Sequence, residues 1–428
     1  MNTLEALAHE PLNTPLPDTS LKRMLTLGRS SYPTSLRAGL LCSALLGFLG
    51  GCSEATDPEG ATGGEWVLVG EALVGGEEFG AFGTAISLNA DGTVLAASAQ
   101  GKFKHGLIRI YGLENGEWAQ LGADLTEEES GTLLGSSLAL NSSGDMLAAG
   151  LTGKNFDTGA ARIYRREGDA WVQVGADLDG QAESERFGTA VAMSADGKTV
   201  AIGIPGRGPG GAVETYSLEG DAWTLVGAAL PGEALNSFGL SVAINDSGDS
   251  VLVGSHINGS NGAGQAQMFK FVSGAWSEVG ASIAGDDGGD KFGRSVAMNA
   301  DGTRILVGAP GNDFIGGLGR ILSLEENTWT SISDFTGNNG DKLGRAVSMN
   351  ASGDNVLLGG EQIARVYQKQ GDTWGQRGAD LISTETFDSF GGDVAMSDDG
   401  DTIVIAAQHY DSPSSFGVGR VLTFQWSQ

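Results

Sequence analysis

Eight oxygen- and amide-bearing side chains gather in three loops of this 428-residue chain: Asp286, Asp287 and Asp290 in GDDGGDK, Asn312 and Asp313 in the next, and Asn338, Asn339 and Asp341 in GNNGDK. Carboxylate and amide oxygens are what a hard cation selects, and calcium takes about six to eight of them. The same residue types are ordinary turn formers. The eight are therefore a candidate ligand-binding site, with calcium as the one cation they could hold and no other cofactor expected.

Covalent chemistry has less to work with. Cys42 and Cys52 both precede the body of the chain, so the folded part has no thiol nucleophile or cysteine-based metal site. His105, His256 and His409 fall in different repeat units without ligand spacing, and no Gly-x-Ser-x-Gly nucleophile motif occurs. Carboxylates could still converge across one face to hydrolyse a glycosidic bond. The primary expectation is a non-enzyme, with a hydrolase or lyase acting on a polysaccharide as the second reading. A formal charge of −28 argues against binding nucleic acid or an anionic membrane through a basic face.

The first 64 residues read as export and tethering. The apolar run Ala38 to Leu49 is too short to span a bilayer, which needs about 20 apolar residues, but suits the core of a secretory signal preceded by Arg29 and Arg37. Leu49-Gly50-Gly51-Cys52 looks like a bacterial lipobox, in which the cysteine is acylated and becomes the first mature residue. Residues 1–51 are then a signal peptide, with Met24 as an alternative start, and 52–64 a lipidated flexible tether. Ser53 after the cysteine favours the outer membrane. Removing the signal takes four basic and three acidic residues and leaves the chain at −29.

What must position the candidate residues is a repeat. Trp66, Trp118, Trp171, Trp223, Trp276, Trp329 and Trp374 are spaced by 52, 53, 52, 53, 53 and 45 residues. In step with them run Phe82-Gly83, Leu134-Gly135, Phe187-Gly188, Phe238-Gly239, Phe292-Gly293, Leu343-Gly344 and Phe390-Gly391, and then seven Asp-Gly or Ser-Gly turns from Asp91-Gly92 to Asp399-Gly400. Each unit holds four strand-length apolar runs. In the third these are Ala190 to Met193, Thr199 to Ile204, Ala212 to Tyr216 and Trp223 to Val226. Four antiparallel strands repeated seven times predict an all-β, seven-bladed β-propeller over residues 65–428. The last unit stops after three strands, so Trp66 to Leu73 should close the ring as its outer strand, with Trp426 packing at that closure.

The units resemble FG-GAP repeats, the blades of integrin α-subunits and of many exported bacterial proteins. Phe292-Gly293 and Gly308-Ala309-Pro310 carry the resemblance, while the first unit has Ala97-Ser98-Ala99 where Gly-Ala-Pro would fall. Integrin-type blades often carry an Asp-x-Asp-x-Asp-Gly calcium loop, here shortened to Asn299-Ala300-Asp301-Gly302.

In such blades the turns joining first to second and third to fourth strands are short and alike, whereas the other connections are long and varied. The long loops share one face, and binding residues favour such loops. The face is acidic, and the sixth unit's second-to-third loop, reduced to Gly359-Gly360-Glu361, should leave a notch beside the eight candidates. The expectation is a monomeric, lipid-anchored extracytoplasmic protein that binds a protein or glycan on this face and meets the membrane through its N-terminal lipid alone.

Overall fold

The computed structural model describes residues 63–76, 80–101, 105–233, 237–257, 262–311, 316–385 and 387–428. The signal segment, Cys52, the tether to residue 62, and Asn312 and Asp313 lie outside the described residues.

Seven antiparallel sheets follow one another as blades of four main strands in chain order. The innermost strands are Ile86–Leu88, Leu134–Leu140, Ala190–Met193, Ser241–Ile244, Ser295–Met298, Ala346–Met349 and Phe390–Met396. Each packs on the next and the last packs on the first, which closes the ring. Strand lengths follow the apolar runs. In the third blade the first two strands are as expected, the third extends to Glu219, and the fourth is Ala222–Leu225.

Closure uses both ends of the chain. Glu65–Leu68 pairs with Arg420–Ser427, placing Trp66 opposite Trp426 with ring centres 5.2 Å apart. The Arg377 guanidinium lies 4.5 Å from the Trp426 ring centre and 5.3 Å from that of Trp66. The expected single strand to Leu73 is broken: Leu73–Val74 pairs separately with the same partner. Most other blades repeat this short extra strand, beginning at the apolar residue of a Gly-Ala-Asp-Leu-like segment.

The repeated words are joints between blades. Phe82, Leu134, Phe187, Phe238, Phe292 and Leu343 are buried, and each bridges to a glycine of the preceding blade. A Cβ at Gly308 would lie 2.1 Å from the Gly344 carbonyl oxygen, and one at Gly203 would lie 1.9 Å from that of Gly239. The glycine of Gly-Ala-Pro in one blade thus faces the glycine of Phe-Gly in the next. In the first blade this place belongs to Ser98, one residue later than the sequence suggested, because Ser98 pairs with Ile108 as Gly308 pairs with Gly319. The tryptophans span the same seams. The Trp171, Trp223, Trp276 and Trp329 indoles donate to Leu121, Val174, Val226 and Val279 carbonyls of the preceding blade at 2.9–3.2 Å.

The short-turn face is sealed by a closed circuit of backbone bonds. Ala90 N–H donates to Ser142, Ser142 to Ala195, Ala195 to Asp246, Asp246 to Ala300, Ala300 to Ala351, Ala351 to Asp398, and Asp398 back to Ala90, at 2.7–3.2 Å. The turns also consume their own oxygens: Asn299 Oδ1 accepts from Arg304 N–H, and Asp301 Oδ1 from Thr303 N–H and Oγ1–H.

Candidate functional site

The third strand of several blades carries an arginine aimed at the long-loop face, and it gathers acids from both flanks. Arg320 binds Asp286 from the loop before its blade and Asp334 from the strand after it, both at 2.8 Å. Arg365 binds Asp380 at 2.8 Å and Asp341 at 3.3 Å. Arg162 joins Asp177 and Glu127, and Arg420 binds Asp388 at 3.0 Å. Burial pushes Asp177 up, but the Arg162 and Lys154 bonds outweigh it and bring its pKa to about 2.

Much of the acidity is therefore internal clamping. Asp286 and Asp341 are bound to arginines of their own blades, while the Asp290 and Asp341 carboxylates also accept the Asp287 and Asn338 N–H groups at 2.8 Å and cap their own loops. Asp287 and Asn339 are exposed. Among the described residues no three of His, Cys, Asp and Glu stand together as a metal site. Glu361, at the shortened loop, binds Arg345 at 3.1 Å and Lys342 at 3.7 Å, so the notch supports cations from the Phe-Gly-type loop of the same blade.

Those cations belong to a cluster that the sequence reading missed. Arg294 follows Phe292-Gly293 and Arg345 follows Leu343-Gly344, at the long-loop ends of two adjacent innermost strands. Asp393 lies in the innermost strand of the next blade. Its Oδ2 accepts the Ile86 N–H of blade one at 2.9 Å and its Oδ1 accepts its own strand's Val394 N–H at 3.0 Å. Protein surrounds Asp393 closely and burial raises its pKa to about 6, against the pull of Arg294 and Arg345. Arg294 is reached by water yet walled by protein, as befits an axial channel, and burial together with nearby Arg345 lowers its pKa. Among the described residues no carboxylate stands within ion-pair distance of Arg294. His256, beside Lys291 and Arg294, has its Nδ1 buried without a hydrogen-bond partner, and burial lowers its pKa. The signal was present: of the seven repeated words, two read Lys-Phe-Gly-Arg and Lys-Leu-Gly-Arg.

The same face carries apolar side chains. Among the described residues the most exposed large ones are Phe156 at 85%, Phe387 at 83%, and Phe416 and Ile382 at 63% each. All four stand on long loops or their flanks. A separate cavity of about 450 Å³ opens at blade one between Phe82, Gln100, His105, Arg109, Asp124 and Glu127.

Residues 276–320 match the FG-GAP repeat family. No curated protein matches the sequence. Solved structures that share the fold include three propellers. The β-propeller domain of Myceliophteria thermophila Cps50 (Swd1) has 13% identity and a TM-score of 0.56, over 86% of this chain and 99% of that one. A putative 6-phosphogluconolactonase from Bacteroides uniformis has 12% identity and a TM-score of 0.53, over 70% and 85%. Another from Bacteroides fragilis has 12% identity and a TM-score of 0.52, over 76% and 97%. At such identities the likeness is one of fold alone.

Proposed function

We propose that this FG-GAP-bearing propeller is an exported binding or scaffold protein, anchored in the bacterial outer membrane by lipid on Cys52, which engages a protein or glycan on its long-loop face. The observation that carries the reading is the contrast between faces. One is sealed by near-identical turns and a circuit of backbone bonds; the other gathers unlike loops, the charged axial mouth and the exposed Phe156, Phe387 and Phe416. Aromatic side chains, phenylalanine included, are enriched in binding interfaces.

The test compares ligand capture from a glycan panel and an envelope extract by the chain and two variants. Phe156→Ser with Phe387→Ser and Phe416→Ser should lose the ligand, while Lys198→Ser on the opposite face should keep it. Equal capture by all three would refute the face assignment. For the anchor, incorporation of a labelled fatty acid should disappear in Cys52→Ser, and incorporation that persists there rejects it.

A second reading, a lyase or hydrolase acting on a polysaccharide, is favoured by one observation. Asp393, with a pKa raised to about 6, shares the mouth with two arginines. Release of unsaturated or reducing ends from an acidic polysaccharide, abolished in Asp393→Asn, would establish it; no release at any pH would end it.

A further inference from the structure

The cations at the axial mouth are out of keeping with the rest of the molecule. A chain of net charge −28 places Lys291, Arg294, Lys342 and Arg345 on two neighbouring Phe-Gly-type loops. Several arginines elsewhere are clamped by carboxylates, as Arg162, Arg320 and Arg365 are. Arg294 has no such partner among the described residues. Arg345 is held from one side, through Nη1, by Glu361. Gly392 adjoins its Nη2: an added Cβ would stand 3.9 Å from that nitrogen, in ordinary contact, and 2.9 Å from the Ser389 carbonyl oxygen. Gly392 does not have the positive φ that would demand glycine, and the other units carry Thr84, Ser136, Thr189, Leu240, Arg294 and Arg345 at this position. A Cβ here would also crowd the Ser389 carbonyl, so the glycine both suits that turn and leaves the mouth beside Arg345 without a side chain. His256 adds a buried nitrogen without a partner next to Arg294. Unpaired buried polar atoms are uncommon in native folds and ask for a partner from outside.

We propose that the axial mouth binds the carboxylate of an acidic sugar, with Arg294 and Arg345 gripping the carboxylate and Asp393 accepting a hydroxyl of the same ring. The proposal rests on the binding-face reading and names the ligand chemistry of its centre. Planar guanidinium groups match a carboxylate through parallel N–H bonds. Asp393 disfavours a dianion such as phosphate by like-charge repulsion, but an ionised carboxylate accepts hydroxyl hydrogens, which sugars supply. Exposed Phe387 and Phe416 stand on long loops of the blade that carries Asp393.

Titration calorimetry of the whole purified chain with D-glucuronate, glucose, inorganic phosphate and N-acetylglutamate tests this. Saturable glucuronate binding, absent with glucose and weakened by about tenfold or more in Arg294→Ala, is the expected result. Arg294 holds no ion pair among the described residues, so the variant should melt with the wild type, and melting curves check that. Tighter binding of phosphate or of N-acetylglutamate overturns the sugar assignment. No saturable binding of glucuronate, or binding unchanged in Arg294→Ala, overturns the site. If glucuronate fails while the triple phenylalanine variant still loses its captured ligand, the binding face stands and the mouth is rejected alone.

Discussion

Replacing Asp393 by asparagine should stabilise the folded chain at neutral pH. The carboxyl sits between two inner strands, its oxygens accepting the Ile86 and Val394 N–H groups, and burial favours its neutral form more than Arg294 and Arg345 favour its charge. Its pKa rises from 3.8 unfolded to about 6 folded. The folded state therefore holds the proton more tightly, and stability falls as the pH rises from about 4 to about 6. Above that window the whole penalty applies. At about 1.4 kcal/mol per pH unit it reaches about 3 kcal/mol for a dry site, and water in the channel reduces it to about 1–2 kcal/mol. Asparagine keeps a carbonyl oxygen for the Ile86 N–H and has no charge to bury, and it gives up only the contact with the adjacent Val394 N–H. Urea unfolding of both proteins across this range should give midpoints that converge near pH 4 and separate above about pH 6, the variant being the more stable. A difference that does not change with pH, or a less stable variant at neutrality, would refute the reasoning.

Other joints make equally definite predictions. Gly308→Ala drives a Cβ to 2.1 Å from the Gly344 carbonyl and should lower stability by about 3 kcal/mol, read from the urea midpoint. Trp171→Phe removes the indole bond to Leu121 and should cost about 1 kcal/mol by the same measure. Asp177 has its pKa lowered to about 2, so its pairing with Arg162 and Lys154 adds stability above the unfolded value of 3.8 that is lost on acidification through about 2. Asp177→Asn should accordingly be destabilised at neutral pH by about 2 kcal/mol and match the wild type in strong acid.

The architecture was legible because three markers recur in step and each answers to a distance. Leu343-Gly344 and Gly308 meet across a seam that no side chain could enter, Trp329 reaches the previous blade, and Asn299-Ala300-Asp301-Gly302 closes a hairpin. Such constraints repeat with the blade and therefore show as period. The closure by Trp66 and Trp426 was readable from the missing fourth strand of the last unit. The site was less legible. Asp286 and Asp341 stood out as acidic loop residues, but the arginines that bind them, Arg320 and Arg365, lie a strand away and mark themselves only by a carboxylate about 15 residues later. The axial cluster was harder still. Arg294, Arg345 and Asp393 are about 50 residues apart in sequence and meet because a ring places equivalent positions around one axis, so what they share is departure from the repeat. Differences between units, read against their common frame, were the signal for Arg294, Arg345 and Gly392.

The central claim, that the molecule works through its long-loop face around the axial mouth, is tested most directly by hydrogen–deuterium exchange of the chain with and without its captured ligand. Protection should appear at the loops entering Ser295–Met298, Ala346–Met349 and Phe390–Met396, around Arg294, Arg345 and Phe387, and leave the Asp196-Gly197 type of turn unchanged. Protection confined to those turns, on the sealed face, would contradict the account.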